Sequence, residues 1–287
     1  MTQGISSADV IADTSNAPWR VAVKTFPVTD QIYYIGNLWV ASYLIDTGEG
    51  IIILDTMCAE TAYLMIDAIY SLGYRPSDIR MILISHAHID HGGAARFLHE
   101  LSGAPIWLSR EDEAFRHSEA SKAKAGHTAG VQSMRSYDYD VNCFYDDDKP
   151  ISLGNVTIRT KLTPGHTPGT TSFFITAEQK DGKTLTAAMH GGVGVLTMAD
   201  AYFEESGLPA TLRTQFIADC KAMEAEKVDI CLPSHPAHYP GKFFEIRRKG
   251  WEHGNPYVDK NAWLNFLRSR SQFAADMELK GRIGSEK

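Results

Sequence analysis

The chain has 287 residues, 44% of them hydrophobic and 22% charged, which excludes a disordered, collagen-like or coiled-coil protein. Its 28 Lys and Arg against 35 Asp and Glu give a formal charge of −7, which speaks against a general affinity for nucleic acid. Purely aliphatic runs are as short as Ile51–Leu54, far below the roughly 20 residues a bilayer requires, so no membrane span is expected.

In chain order, the N-terminal segment MTQGISSADVIADTSNAPWR has no basic stretch followed by an apolar one, which predicts no secretory leader and a cytoplasmic location. Short strands are predicted over Gln31–Ile35, Trp39–Ile45 and Gly50–Asp55, separated by Gly36-Asn37 and Asp46-Thr47-Gly48. From Ala62, the residues Leu64, Met65, Ala68, Ile69 and Leu72 recur at helical spacing, and Gly73 is placed as a stop. Met81–Ile84 reads as a strand buried on both faces. The polar stretch from Arg110 to Pro150, with its acidic run Asp146-Asp147-Asp148, reads as irregular or partly helical. Strands resume at Ile151–Leu153, Val156–Leu162, Thr171–Thr176, Thr184–Met189 and Val228–Cys231. A helix from Pro209 carries Leu212, Phe216, Ile217, Cys220 and Met223 on one face, and another runs beyond Pro256 through Trp263, Leu264 and Leu267 to Phe273. Alternating strands and helices indicate a layered α/β fold. Two similar halves, about 20–150 and 151–287, fit one domain over residues 1–287 better than two. The four cysteines, Cys58, Cys143, Cys220 and Cys231, form no CxxC pair and read as reduced thiols.

The informative segment is Ser85-His86-Ala87-His88-Ile89-Asp90-His91-Gly92-Gly93, directly after a buried strand. Neutral imidazole and carboxylate are the ligands that zinc and similar divalent ions favour. In extended backbone His86 and His88 fall on the same side, while Asp90 and His91 sit where the chain turns into a helix. One strand end can thereby serve two adjacent metals. Two further histidines are fixed at strand ends by Pro/Gly turns: His166 in Thr163-Pro164-Gly165-His166-Thr167-Pro168-Gly169, and His235 in Leu232-Pro233-Ser234-His235-Pro236.

HAHIDHGG, TPGHTPGTTSF and LPSHP, in that order, resemble the metallo-β-lactamase superfamily over nearly the whole chain, most closely its subclass B3. Asn255-Pro256-Tyr257-Val258-Asp259 adds to the B3 likeness. The resemblance implies a four-layer αβ/βα sandwich. It also implies two zinc ions per chain, with manganese or iron as alternatives: one held by His86, His88 and His166, the other by Asp90, His91 and His235. Relatives that use a metal-binding Cys place it near the end of the strand Thr184–Met189, and those with a metal-bridging Asp place it there too; this chain has His190-Gly191-Gly192 at that point, with neither Cys nor Asp, which favours the B3 pattern. The serines that B3 enzymes commonly carry just after that strand are replaced by His190-Gly191-Gly192-Val193-Gly194-Val195. A diiron redox site is disfavoured because His88 stands where diiron flavoproteins of this fold have Glu.

The activity implied is hydrolysis of a small molecule, with a metal-bound hydroxide attacking a lactam or amide carbonyl and Asp90 as the catalytic residue that binds metal and orients the nucleophile. An intracellular lactonase, thioesterase or other ester hydrolase of the same superfamily is the alternative. Asp55 resembles the family's aspartate that supports the metal loop. Trp39, His190, Tyr202, Phe203, His238 and Tyr239 are candidates for supporting the metals or contacting substrate. His99, His117, His127 and His253 lie outside the motifs and read as solvated.

Overall fold

A continuous apolar run such as Ile51–Leu54 presents apolar side chains on both faces of its strand, and the fold buries both. The computed structural model describes residues 7–123, 139–239 and 242–285. One sheet has seven strands in sequence order: β1 (Phe26–Pro27), β2 (Ile32–Tyr34), β3 (Tyr43–Asp46), β4 (Ile51–Leu54), β5 (Ile79–Leu83), β6 (Ile106–Leu108) and β7 (Cys143–Phe144). The second has β8 (Ile151–Leu153), β9 (Val156–Leu162), β10 (Thr171–Glu178), β11 (Thr184–Met189) and β12 (Ile230–Leu232), in spatial order 12-11-10-9-8. Pairing is antiparallel from β1 to β4 and from β8 to β11, and parallel from β4 to β7 and between β11 and β12.

Parallel neighbours need crossovers, and helices provide them. The helices are α1 (Ser7–Asn16), α2 (Ala62–Ser71), α3 (Ile89–Gly92), α4 (Ala95–Ser102), α5 (Arg110–Arg116), α6 (Asp200–Ser206), α7 (Thr211–Met223), α8 (Phe243–Ile246) and α9 (Ala262–Ser285). Period-two alternation sorts the layers. Leu44, Ile51 and Ile53 pack with Met65 and Ile69 of α2, Leu98 of α4 and Phe115 of α5. Their neighbours Tyr43, Ile45, Ile52 and Leu54 face the other way, into a cluster shared with the second sheet. In β10, Phe173 meets Tyr145 with ring centroids 5.4 Å apart, while Phe174 turns outward to Trp263 of α9 at 5.9 Å. The result is an αβ/βα sandwich with helices outside and two sheets between. All four cysteines are free thiols, and no helix among the described residues is long and apolar enough to cross a membrane.

The structure departs from the sequence reading in several places. Trp39, Val40 and Ala41 are not in a strand, because the Asn37 side-chain oxygen accepts hydrogen bonds from the backbone N–H of Trp39 and Val40, both at 2.8 Å. That local turn outcompetes the ladder. Helix α9 runs past Phe273, which is 49% exposed, to Ser285, because the following Ala, Met, Glu, Leu and Lys favour helix. Helices α1, α5 and α6 fall in polar stretches with too few apolar repeats to mark them.

Candidate metal centre

Strands β4, β5, β9, β11 and β12 all deliver their following loops to one end of the sandwich, where the histidine motifs meet. After β5, extended backbone carries His86 and His88 to one side, with ring centroids 4.8 Å apart. His88 (φ −86°, ψ 152°) is the last extended residue before α3, the single turn that presents Asp90 and His91. The loop after β9 adds His166 and the loop after β12 adds His235.

Two groups of donors result. Nδ1 of His88 lies 3.1 Å from Nε2 of both His86 and His166. Oδ2 of Asp90 lies 3.4 Å from Nε2 of His91 and 3.2 Å from Nε2 of His235, and those two nitrogens are 3.1 Å apart. Tetrahedral ligands about 2.0–2.1 Å from a zinc ion stand about 3.3 Å from one another, so both spacings suit such an ion. A ring nitrogen carries one proton or one lone pair, so Nδ1 of His88 cannot form full hydrogen bonds to two imidazoles, whereas a cation accepts all three lone pairs. Oδ1 of Asp90 is buried with no hydrogen-bond partner, a further mark of a position built for a cation or its water. The donor set therefore fits two divalent ions: His86, His88 and His166 could hold one, and Asp90, His91 and His235 the other.

The opposite edges of the rings are anchored. Nδ1 of His91 donates to Oδ2 of Asp55 at 2.7 Å, Nδ1 of His235 to the carbonyl of Trp39 at 2.8 Å, and Nδ1 of His166 to the carbonyl of Gly194 at 2.7 Å. Nδ1 of His86 lies 3.1 Å from the Ser85 hydroxyl. Because carbonyls and carboxylates only accept, His91, His235 and His166 each present an Nδ1–H to them, which leaves Nε2 facing the centre as the atom that could bind a metal. Asp55 also accepts from the N–H of Ser85 at 2.7 Å and its hydroxyl at 2.8 Å.

Electrostatics separate the two groups. Burial pushes His86 well below the usual histidine range, and His91, His166 and His88 push the same way. Burial likewise pushes His166 down to about 4, against the Gly194 carbonyl. Burial would also lower His91, but the Asp90 and Asp55 carboxylates override it and raise His91 to about 10. Asp90, which burial alone would raise, is held well below the carboxylate range by His91 and His235. In the first group His86 and His166 are thus held as neutral imidazoles, whereas in the second the ionised Asp90 is paired with a protonated His91, whose Nε2 proton a divalent ion would displace.

The remaining sequence candidates separate into near and far. Trp39 is half-buried, with its ring 5.8 Å from that of His235. His238 follows on a short 3₁₀ turn with its ring 5.1 Å from His235, and burial pushes it well below the usual range. His190 is fully buried against Phe216, with centroids 5.3 Å apart, outside both donor groups; burial pushes it down to about 3. Tyr202, Phe203 and Tyr239 belong to the buried apolar core, where the Tyr239 ring stands 5.4 Å from that of Phe243. His99 is not simply solvated: it is half-buried and its Nδ1 donates to the Ala104 carbonyl at 2.8 Å. His117 lies 3.4 Å from Glu113 and His253 is exposed, while His127 lies outside the described residues.

Sequence reasoning passed over Asp112, which is fully buried and hydrogen-bonded to both histidine loops. Its signal was the Ser109-x-x-Asp112 spacing of a helix N-cap: the Ser109 hydroxyl accepts from the Asp112 N–H at 3.1 Å.

Comparison with known proteins accords with this geometry. The family model described as the metallo-beta-lactamase superfamily matches residues 37–185, more than half of the chain. The chain is 27% identical over 140 residues to the hydroxyacylglutathione hydrolase GloC of Haemophilus influenzae, covering 49% of this chain and 63% of that protein. It is 29% identical over 175 residues to an N-acyl homoserine lactonase of Bacillus thuringiensis, covering 52% of this chain and 63% of that one. The chain thus spans less than two thirds of the length of either curated relative. Among solved structures, BJP-1, a subclass B3 metallo-beta-lactamase of Bradyrhizobium japonicum, superposes with a TM-score of 0.80 over 95% of this chain and 100% of that one at 24% identity, a likeness of fold.

Proposed function

The chain belongs to the metallo-beta-lactamase superfamily, and from that membership we propose that it is a dinuclear zinc hydrolase of the subclass B3 type, opening a lactam or other amide carbonyl. The observation that carries the reading is the convergence of six side chains into a three-histidine group and an aspartate–histidine–histidine group, with N–N and N–O spacings of 3.1–3.4 Å.

Divalent ions held there would lower the pKa of a water toward neutrality and polarise the substrate carbonyl. The protein's own side chains do the rest. Oδ2 of Asp90 faces His91 and His235, which leaves Oδ1 as the acceptor that orients the attacking water. The hydrogen bonds from His91 to Asp55, from His235 to Trp39 and from His166 to Gly194 hold the imidazoles in place, so little reorganisation accompanies the reaction. Trp39, beside His235, forms one wall over the second group. The absence of Cys or Asp after β11, where His190 is turned into the core instead, supports a B3-type ligand set.

A second reading is hydrolysis of a lactone or thioester. It is supported by the names of the two curated relatives and by the serine-free stretch His190–Val195 after β11. One experiment separates them: the zinc-loaded protein is assayed on a chromogenic cephalosporin, an acyl lactone and an acyl thioester in parallel, with a chelator control. Chelator-sensitive cephalosporin turnover above about 10⁴ M⁻¹s⁻¹ in kcat/KM supports the lactam reading. Turnover of only the lactone or the thioester overturns it in favour of the second, and no chelator-sensitive turnover at all overturns both.

A further inference from the structure

Asp112, at the start of α5, is a fully buried carboxylate with no basic side chain paired to it among the described residues. A buried charge of this kind is costly unless its oxygens are filled by donors. Here the donors come from the two loops that bring His86, His88 and His166 together. Oδ2 accepts from the backbone N–H of Ala87 at 2.7 Å and from the Thr167 hydroxyl at 2.8 Å; Oδ1 accepts from the N–H of Gly169 at 2.6 Å. Ala87 sits between His86 and His88, and Thr167 directly follows His166. The Ser109 hydroxyl donates to the Gly169 carbonyl at 2.7 Å, so Gly169 is held on both of its backbone groups. A Cβ at Gly169 would lie 2.1 Å from the Ser109 oxygen and 2.3 Å from the Asp112 nitrogen, so the close approach of α5 requires glycine there.

We propose that Asp112 is a positioning residue that fixes the three-histidine group by tying the loop after β5 to the loop after β9. The first loop lies 25 residues before Asp112 and the second 55–57 after it, so neither places the other through local backbone geometry. The carboxylate bridges the two loops beside the 3.1 Å approach of His88 to His166, and it is the side-chain tie that reinforces the backbone bond from the Thr171 N–H to the Ser85 carbonyl at 2.9 Å. The second group is anchored elsewhere, by Asp55 on His91 and by the Trp39 carbonyl on His235. Removing Asp112 should accordingly weaken one metal position and spare the other. Asp112 touches none of the ligand side chains, so its effect is on their spacing. This inference rests on the reading of His86, His88 and His166 as metal ligands.

The test is zinc binding to the purified full chain by competition with a chromophoric chelator, for wild type, Asp112→Asn and Thr167→Val, beside the melting temperature of each metal-free protein. The amide of Asp112→Asn presents an N–H₂ to one of the three donors and breaks that arm. Wild type is expected to bind two equivalents. In Asp112→Asn one equivalent is expected to weaken 10–100-fold while the other stays within about threefold. Thr167→Val, which deletes only the hydroxyl arm, is expected to weaken the same equivalent by a smaller factor. Both equivalents bound as in wild type, or both weakened alike with a fall in the metal-free melting temperature, overturns the proposal. If Asp112→Asn does not fold, unchanged binding by Thr167→Val overturns it. Failure of the wild type to bind zinc is a different result, which overturns the metal reading itself.

Discussion

Oδ2 of Asp55 lies 2.7 Å from Nδ1 of His91, and Asp55 holds that position from a left-handed backbone at φ +60°. Such a conformation is costly for a residue other than glycine and persists where surrounding bonds over-determine it. Here they do: the Asp55 N–H donates to the Leu83 carbonyl, its carbonyl accepts from the Ser42 hydroxyl, and its carboxylate takes two bonds from Ser85 besides that of His91. The strain aims one carboxylate at the strand end that carries the histidine motif.

Asp55→Asn tests this support, because Asn tolerates the left-handed region as well as Asp does. The amide retains one acceptor oxygen and loses the charge facing His91. Zinc affinity at the Asp90–His91–His235 group is expected to fall about 10–100-fold, with kcat falling at least as far at fixed zinc. Chelator competition measures the first, and wild-type affinity in the variant contradicts the role assigned to Asp55.

Removal of metal has a thermodynamic signature independent of substrate. Ions that bind only the folded chain stabilise it by about 2.7 kcal/mol at one hundred times their dissociation constant. Dialysis against a chelator is therefore expected to abolish hydrolysis and lower the melting temperature, and added zinc to restore both. A melting temperature indifferent to zinc contradicts a bound ion.

Gly192 packs under the His166 ring, and a Cβ there would lie 2.6 Å from Cδ2 of that ring. Gly192→Ala is expected to displace His166 and to reduce kcat roughly 10–100-fold, since misplacement by about 1 Å far exceeds what catalytic geometry tolerates. The neighbour that yields is a loop imidazole, not core backbone, so the melting temperature of the metal-free protein should change little. Unaltered kcat under saturating zinc argues against His166 as a ligand.

The pH dependence of stability gives a separate check on Asp112. Burial pushes its carboxyl up to about 6, against the hydrogen bonds from Ala87, Thr167 and Gly169 that pull the other way. An unfolded Asp titrates near about 4, so between about pH 4 and 6 the folded chain holds a proton that the unfolded chain has released. The contribution of Asp112 to stability is fullest at low pH and falls as pH rises through that window, by up to about 3 kcal/mol, then stays level. Unfolding of the metal-free wild type compared with Asp112→Asn across pH 4–7 isolates it. A difference that grows in favour of the wild type as pH rises contradicts the sign.

Much of this protein is written in local pattern. Residues that alternate along a strand share a face whatever lies beyond, so β8, β9 and β11 fall where their apolar alternation puts them, and His86 and His88 project together because they are two residues apart. Asp90 and His91 follow on one turn of helix, and Pro/Gly punctuation fixes His166 and His235 at strand ends. Each of these relations spans at most a few residues of backbone.

Tertiary packing decided what no local rule reaches. The Trp39 carbonyl meets His235 across 196 residues, and Asp112 joins Ala87 to Gly169 from between them. His190, Tyr202 and Tyr239 are turned into the core, although their neighbours in sequence flank the histidine loops. Backbone periodicity dictates which side of a strand or helix a residue occupies. Whether that side meets solvent, a second sheet or another loop depends on how the two sheets stack, and stacking is settled by the burial of many residues at once.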